Sequence, residues 1–204
     1  MMIKKQNYLK HAIVLFLLLL LMQPERAWAA YENVEFSSLT NHDGLTNSQV
    51  GAILKDTRGY IWFGTQSGLC RFDGFRMKTF YYSNTDDKSL PNNSVDELQQ
   101  DYDGNIWVHT SVGYSIYKYD EEQFDRKPEE WLKNIHVQGP PYKLLIDKDK
   151  NMWIAVYGQG LFFHNAKTKN TYLFKFTKKA QPGCLKEGNI SKITEVDGDA
   201  LITY

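Results

Sequence analysis

The sequence predicts an all-β protein built from β-propeller blades, each made of four antiparallel strands. The main observation is a phrase that occurs three times, in which an aspartate-containing turn leads into a strand ending in tryptophan. The three copies are Asp56–Trp62, Asp101–Trp107 and Asp147–Trp153, and their tryptophans lie 45 and 46 residues apart. A period in the forties with turn and strand signals is typical of propeller blades. Thirteen Tyr, eleven Phe and five Trp among 204 residues also favour strands over helices.

The first repeat contains the four strands expected of one blade. Its apolar or alternating segments are residues 50–55, 60–65, 69–73 and 75–82. At the first turn, Asp56 can accept hydrogen bonds from the backbone and Gly59 can adopt a positive φ. Short antiparallel strands joined by hairpins form one blade. The corresponding strands are predicted at 95–100, 105–110, 114–119 and around 124 in the second repeat, and at 142–146, 152–156, 161–164 and 171–176 in the third.

The repeats and the chain ends define six predicted segments. Residues 1–29 are expected to be a signal peptide, and residues 30–46 an N-terminal strand that belongs to a closing blade. Blade 1 covers 47–91, blade 2 covers 92–139 with an insertion at 127–139, blade 3 covers 140–187, and a fourth blade starts over 188–204. Propellers close with about four to eight blades. We therefore expect an incomplete propeller of three blades plus the start of a fourth, either the N-terminal part of a larger propeller or an incomplete gene product.

Three positions depart from the repeat. Glu129–Lys133, within the insertion, is expected to form a helical turn. Lys150 stands where the first two repeats have glycine, so we expect a turn of another type that leaves the hairpin intact. In the fourth copy, Leu201 takes the place of the tryptophan.

The N-terminus has the layout of a secretory signal. Basic residues up to Lys10 precede the apolar run Ala12–Met22, and Ala27-Trp28-Ala29 provides small residues at a cleavage site. A membrane-spanning helix needs about 20 apolar residues, which favours a cleaved signal over an uncleaved anchor. With either outcome, the rest of the chain is expected to be exported, which indicates a periplasmic location.

Composition and motifs exclude several classes of function. The 24 basic and 24 acidic residues cancel and form no basic stripe, so nucleic acid is not expected as a partner. Asp101 to Asn105 resembles part of a calcium loop, but position twelve is Val112 rather than glutamate, which favours a turn. His109, which replaces the Gly64 of the first repeat, is interpreted as a polar residue at a blade edge. The scattered histidines have no zinc-site spacing, and we predict no metal, no cofactor and no catalytic residue.

The two cysteines, Cys70 and Cys184, lie in different repeats, and nothing in their spacing shows that they come within bridging distance. Two ordinary thiols are therefore favoured over a disulfide, although an exported protein permits one. The repeated tryptophans lie inside strands, and we expect them to pack between blades rather than to bind sugars.

Candidate ligand contacts come from the loops, because loops carry most binding residues. The loops between blades and the loops between the second and third strands of each blade share one face of a propeller. The predicted ligand-binding residues there are Gln66, Ser67, Asn92, Asn93, Ser111, Tyr157 and Gln159. These neutral hydrogen-bonding and aromatic side chains suit an oligosaccharide or another small neutral ligand better than an anion or a metal.

The segment Asp56–Leu69 resembles the two-component regulator propeller repeat, and Asp43–Val50 resembles the opening phrase of the same sensors. The third repeat departs from the pattern, with Ala155 and Val156 where Gly-Thr is usual. The resemblance covers nearly all of the predicted mature chain. It implies the periplasmic sensor part of a Bacteroidetes-type hybrid two-component system, in which two propellers precede a β-sandwich, a membrane helix, a histidine kinase and a DNA-binding regulator. The signals of that family are usually glycan oligosaccharides.

The resulting prediction is a ligand-sensing propeller segment of a two-component receptor, without the kinase and DNA-binding modules and without enzymatic activity of its own. The resemblance implies the remaining blades of a longer receptor as partners, anchoring of the full-length receptor in the inner membrane, and a homodimer only in that receptor. Two alternatives stay open. One is a structural or protein-binding propeller fragment. The other is an exported propeller lyase or glycosidase, which would need clustered carboxylates or a His–Tyr pair that the repeats do not reveal.

Overall fold

A computed structural model describes residues 36–177, 184–186 and 189–204, almost entirely as β structure. Three successive sheets each contain four antiparallel strands in chain order, which confirms the predicted fold class of an incomplete propeller. Sheet 1 comprises β1 (Val50–Lys55), β2 (Ile61–Thr65), β3 (Gly68–Phe72) and β4 (Met77–Phe80). Sheet 2 comprises β5 (Val95–Gln100), β6 (Ile106–Thr110), β7 (Gly113–Lys118) and β8 (Gln123–Asp125).

Sheet 3 comprises β9 (Pro141–Ile146), β10 (Met152–Val156), β11 (Gly160–His164) and β12 (Thr171–Thr177). A two-residue strand, β13 (Leu185–Lys186), adds to β12 in parallel. Sheet 4 is the antiparallel pair β14 (Lys192–Val196) and β15 (Asp199–Thr203). A 3-10 turn over Asn41–Asp43 precedes sheet 1.

The predicted N-terminal segments fall largely outside the described residues. The signal peptide at 1–29 lies there entirely, and so does the first part of the strand predicted within 30–46. Residues 1–38 form a unit of their own, and its described part, residues 36–38, has no helix or strand. In the second unit, residues 39 and 40 likewise have no regular element.

The repeated turn has the same geometry in all three four-stranded sheets. At Asp56, the carbonyl accepts from the Gly59 N–H, and Oδ1 accepts from the backbone N–H groups of Arg58 and Tyr60. Oδ2 accepts from the Trp62 indole at 2.7 Å. Asp101 and Asp147 repeat this pattern. These carboxylates are therefore occupied by the chain itself, as the turn interpretation requires.

The expectation of a different turn at Lys150 was wrong. Lys150 adopts a φ of 66°, in the left-handed region that Gly59 and Gly104 occupy in the other repeats. Its N–H donates to the Asp147 carbonyl at 2.9 Å, as the two glycines donate to theirs. The surrounding hydrogen bonds hold this backbone in place although a side chain disfavours it.

The turn between the first two strands of sheet 4 is shorter than the corresponding turns of sheets 1, 2 and 3. Asp197 and Gly198 both have positive φ, at 52° and 92°, and join β14 to β15 as a two-residue turn. Positive φ at both central positions is typical of type I′ hairpins, which match the twist of the strands. Leu201, at the position of the repeated tryptophan, is 55% exposed.

Apolar side chains fill the space between successive sheets. Trp62 and Leu69 of sheet 1 pack with Val95 and Tyr117 of sheet 2. Trp107 packs into the core between sheets 2 and 3, and Trp153 packs beside the core between sheets 3 and 4. The prediction that the repeated tryptophans pack between blades is confirmed.

The insertion contains α1 (Pro128–Leu132) followed by a 3-10 turn (Lys133–Ile135), so the predicted helical turn is confirmed. Leu132, Ile135 and Val137 are buried in the core between sheets 2 and 3. This anchoring makes the insertion part of the junction between those two sheets. Cys70 and Cys184 are free thiols, and Cys70 Sγ lies 3.3 Å from the Thr46 hydroxyl.

Candidate ligand cleft between sheets 2 and 3

A cleft with a volume of about 480 Å³ opens where sheets 2 and 3 meet the insertion. This volume lies within the range of about 300–1,000 Å³ that is common for ligand pockets. The cleft is lined by His109, Val112, Gly113, Tyr114, Arg126, Pro128, Glu129, Pro140, Pro141, Tyr142 and Tyr157. Three prolines and three tyrosines among these residues give it stiff, partly aromatic walls.

Tyr157 is the sequence-predicted site residue that lines this cleft. Its ring stacks on Tyr142 with centroids 4.0 Å apart and an interplanar angle of 20°. Tyr142 is held in turn by a hydrogen bond from the Ile190 N–H to its hydroxyl at 3.2 Å. Tyr157 is 64% exposed, so the face of the pair remains accessible. Gln159, in the same hairpin, donates from its amide to the Gln138 carbonyl at 2.6 Å.

The other five predicted residues form a separate group of loops between sheets 1 and 2. Gln66 Oε1 accepts from the Ser94 hydroxyl at 2.9 Å, and the Asn93 carbonyl accepts from the Gly68 N–H at 2.8 Å. Ser67 accepts from the Asn47 amide, Asn92 accepts from the Ser94 N–H, and the Ser111 N–H donates to the Ser94 carbonyl. These five residues thus connect neighbouring loops through hydrogen bonds. They lie close to one another but do not line the cleft that contains Tyr157.

The junction between sheets 1 and 2 has no room for a comparable cleft at the equivalent position. There, Gly64 packs against Val95, and a β-carbon on Gly64 would lie 2.6 Å from Val95 Cγ1. In sheet 2 the equivalent position holds His109, because Gly64 and His109 have equivalent strand partners, Ala52 and Glu97. The junction between sheets 2 and 3 therefore has a polar histidine ring at the position where the junction between sheets 1 and 2 has Gly64 packed against Val95.

Sequence analysis missed a polar cluster around His109. The ring Nδ1 lies 2.6 Å from Asp96 Oδ1, and the rings of His109 and Tyr114 have centroids 4.4 Å apart. The Tyr114 hydroxyl donates to Glu97 Oε2 at 2.8 Å. The same hydroxyl accepts from the Leu144 N–H of sheet 3 at 3.1 Å. The cluster therefore links the cleft wall to the backbone of both sheets.

The signal that could have revealed this cluster is a coordinated departure from the repeat. The first sheet has Gly51, Ala52, Gly64 and Leu69 where the second has Asp96, Glu97, His109 and Tyr114. The shift in strand register at Asp96, between Val95 and Glu97, is not part of this departure, because sheet 1 has the same shift between Val50 and Ala52.

The electrostatics of the cluster keep Tyr114 protonated. Burial raises the pKa of Tyr114 far above its ordinary value, and the neighbouring Glu97 carboxylate raises the pKa further. Lys143 Nζ lies 3.7 Å from Glu97 Oε1 and partly offsets that negative charge. Tyr114 therefore acts as a hydrogen-bond donor to Glu97 and not as a base.

The cation in the cleft wall, Arg126, is engaged by the loop that precedes sheet 2. Its Nε donates to the Ser89 carbonyl, and its Nη2 lies within hydrogen-bond distance of the carbonyls of Ser83, Asp86 and Leu90. These hydrogen bonds, with lengths of 2.9–3.2 Å, connect the guanidinium to the backbone of that loop and hold both in place. The described part of the chain contains no group of three or more His, Cys, Asp or Glu side chains suited to a metal ion.

Known proteins identify the repeat. The family pattern described as "Two component regulator propeller" matches residues 44–67 and 89–111. These two segments are two-component regulator propeller repeats. Histidine kinase P4 of Formosa agariphila is 41% identical over 61 residues, which are 30% of this chain and 4% of that protein.

Solved structures extend the comparison. The chain is similar to the extracellular domain of a protein described as the hybrid two component system BT3049 of B. thetaiotaomicron, with 24% identity and a TM-score of 0.55. That match covers 81% of this chain and 23% of the other. An extracellular domain described as that of BT4673, from the same organism, has 19% identity and a TM-score of 0.40 over 59% of this chain and 17% of that one.

The chain shares its fold with the extracellular domain of that hybrid two component system. The chain spans a small part of each of these relatives, between 4% and 23% of their lengths. In the described residues, every helix is too short or too polar to span a bilayer.

Proposed function

We propose that this chain is the ligand-sensing part of an extracytoplasmic two-component receptor and that it binds a glycan oligosaccharide. The single observation that carries the proposal is the cleft between sheets 2 and 3, with its stacked pair Tyr142–Tyr157. The propeller repeats support the receptor class, and the cleft supports a small ligand of sugar size.

The aromatic wall is suited to an amphipathic ligand. A sugar ring has an apolar face of C–H groups and an equatorial rim of hydroxyls. The face of Tyr157 can contact the former, while polar groups of the cleft bind the latter. Because Tyr157 is braced by Tyr142, and Tyr142 by the Ile190 N–H, little side-chain entropy remains to be lost on binding.

The other predicted ligand contacts fit an extended site. Gln159 lies in the hairpin of Tyr157, and Ser111 directly precedes the cleft residues Val112 and Gly113. We propose that a longer oligosaccharide contacts Gln159 and Ser111. It would then continue to the other residues of the loop group that contains Ser111, which are Gln66, Ser67, Asn92 and Asn93.

The full receptor belongs to the same proposal. The chain would supply part of a periplasmic propeller, exported by the predicted signal peptide, with the remaining blades and a membrane-anchored histidine kinase in the longer protein. In this function the propeller binds its ligand without chemical conversion, and the kinase transmits the signal.

Isothermal titration calorimetry of the chain against a panel of neutral di- and trisaccharides tests the proposal. We expect at least one member to bind, and Tyr157→Ala to weaken that binding about tenfold through loss of the stacking face. Tyr172→Ala is the matched control, because Tyr172 is also a half-exposed tyrosine of sheet 3 but does not line the cleft. Absence of binding to every member, or equal binding by the Tyr157→Ala variant, would contradict the proposal.

A further inference from the structure

The second repeat differs from the first at four positions that the fold brings together. Gly51, Ala52, Gly64 and Leu69 of sheet 1 correspond to Asp96, Glu97, His109 and Tyr114 of sheet 2. Two of the polar replacements, His109 and Tyr114, line the cleft. The other two hold them through bonds of 2.6 and 2.8 Å. A purely structural blade does not need this set, since sheet 1 folds with small and apolar residues in the same places.

The Asp96 carboxylate fixes the chemical character of the His109 ring. An ionised carboxylate is only an acceptor, so Nδ1 must carry the proton in the bond of 2.6 Å. In the neutral ring, Nε2 is then the nitrogen with the lone pair. Nε2 makes no hydrogen bond with the residues that the structure describes. In that neutral state, His109 presents a hydrogen-bond acceptor at Nε2, and the Asp96 carboxylate selects the tautomer.

A second acceptor in the cleft wall is the carboxylate of Glu129. This residue lies in the first turn of α1, and its side chain makes no hydrogen bond or ion pair within the described residues. Arg126, the cation of the same wall, is engaged through Nε and Nη2 by the carbonyls of residues 83–90. The cleft wall thus contains two acceptors without a hydrogen bond to the described residues, His109 Nε2 and the Glu129 carboxylate, beside the positive charge of Arg126.

We infer that His109, oriented by Asp96, is a specificity-determining residue of the cleft and acts with Glu129 to select ligands that present hydrogen-bond donors. The ligand class is a sugar with hydroxyl or ammonium groups at this point. A sugar with a carboxylate or sulfate there places acceptor against acceptor and negative charge near Glu129, which disfavours binding. This inference rests on the proposed function, because it assigns the selectivity of the same cleft.

The first test compares neutral and acidic sugars on the wild-type chain. Calorimetry uses di- and trisaccharides of glucose, galactose, mannose and xylose beside di- and trisaccharides of galacturonate, mannuronate and sulfated galactose. We expect the neutral sugars that bind to do so at least tenfold more tightly than acidic sugars of equal length. Tighter binding of the acidic series would overturn the inference and would assign recognition to Arg126.

The second test changes the tautomer. In Asp96→Asn, the amide can either donate to Nδ1 or accept from it, so the ring is no longer restricted to the tautomer with the proton on Nδ1 and Nε2 can become a donor. We expect this variant to lose roughly tenfold in affinity for the neutral sugar and to gain affinity for the acidic one. His109→Ala should lose affinity for the neutral sugar, and His109→Gln should restore part of it through its side-chain oxygen.

A spectroscopic measurement on the unmodified chain does not depend on the folding of any variant. Nitrogen-15 shifts of the His109 ring should show a neutral tautomer with the proton on Nδ1. A proton on Nε2 in the neutral ring would overturn the inference. If no sugar binds the wild-type chain, the proposed function fails. If neutral sugars bind but Asp96→Asn and His109→Ala bind them equally well, the proposed function stands and the inference about His109 fails.

Discussion

The indole nitrogen of Trp62 donates a hydrogen bond of 2.7 Å to Asp56 Oδ2, and both side chains are buried. The pair recurs as Trp107 with Asp101 at 2.9 Å and, more loosely, as Trp153 with Asp147 at 3.4 Å. The other oxygen of each aspartate accepts from backbone N–H groups of the turn. One carboxylate therefore connects the turn to the core between sheets, which explains why these two residue types recur at a fixed spacing.

Replacing Asp56 with alanine should destabilise the protein by about 3 kcal/mol. The change leaves the buried Trp62 indole and the backbone N–H groups of Arg58 and Tyr60 without their acceptor, and each loss has a cost. Urea unfolding followed by tryptophan fluorescence measures the effect. Asp147→Ala is the matched control and should cost less, because its bond to Trp153 is longer and only partly buried. Equal losses in both variants would contradict this account.

The Lys150→Gly variant of the protein should be more stable than the Lys150→Ala variant. Both variants lose the bond from Lys150 Nζ to the Gln100 carbonyl, but only glycine adopts a φ of 66° without a β-carbon clash. We expect Lys150→Gly to exceed Lys150→Ala by about 1 kcal/mol in free energy of unfolding. Lys148, in the same turn but without a positive φ, should show the reverse order, since glycine there adds only chain entropy. The same order at both positions would refute the role of the left-handed backbone.

Gly64→Ala should destabilise the protein by about 1–3 kcal/mol through overpacking against Val95. The added β-carbon would lie 2.6 Å from Val95 Cγ1, a separation that forces a shift. A double-mutant cycle with Val95→Ala measures the contact, because the smaller side chain removes the 2.6 Å contact with Cγ1 and leaves only the 3.2 Å contacts with the Val95 β-carbon and carbonyl oxygen. We expect the double variant to lose less stability than the two single variants combined. Strict additivity would mean that the contact does not limit position 64.

His164 should make the protein less stable in acid. Its Nδ1 lies 2.9 Å from the Thr171 hydroxyl, which donates its only hydrogen to the Ile135 carbonyl at 2.7 Å, so Nδ1 must be protonated. Nε2 is buried and lacks a hydrogen-bond partner among the described residues. Burial lowers the pKa of His164, Lys169 lowers it further, and Asp103 opposes the shift. A proton on Nε2 would therefore be a buried donor without an acceptor.

The sign of the pH effect follows from the lowered pKa. The folded state binds a proton on His164 less readily than the unfolded chain, so this residue stabilises the fold fully above pH about 6.5. That contribution declines as the pH falls below this value toward the folded-state pKa. Urea unfolding between pH 7.5 and 5 should show a steeper loss for the wild type than for His164→Asn, whose amide can replace Nδ1. His42→Asn, at an exposed position, is the control and should follow the wild type. Parallel curves for the wild type and His164→Asn would exclude this contribution.

Sequence reasoning located the strands because their signals are local. The predicted strand at residues 50–55 agrees with β1, and the one at 152–156 agrees with β10. The prediction of a different turn at Lys150 failed because it relied only on the preference of positive φ for glycine. In the structure, hydrogen bonds from backbone N–H groups to the carbonyl and carboxylate of Asp147 fix the original turn around an unfavourable φ.

The candidate site was predictable only in part. Tyr157 was identified as an aromatic residue in a polar hairpin, and it does line the cleft. Asp96, Tyr114 and Tyr142 were not singled out, and His109 was interpreted as an ordinary edge residue. Asp96 and His109 are 13 positions apart, and only the antiparallel register of β5 and β6 brings them to 2.6 Å.

The sequence by itself determined the repeating unit of this protein. An aspartate stabilises each turn and contacts a tryptophan six residues later in the same hairpin. Because these contacts are local, the sequence shows the pattern directly. Tertiary structure decided where the cleft lies. The cleft lies at the junction between sheets 2 and 3, beside the insertion, whereas Gly64 packs against Val95 at the junction between sheets 1 and 2. Those relations join residues of different sheets, and their distances are set by packing between blades.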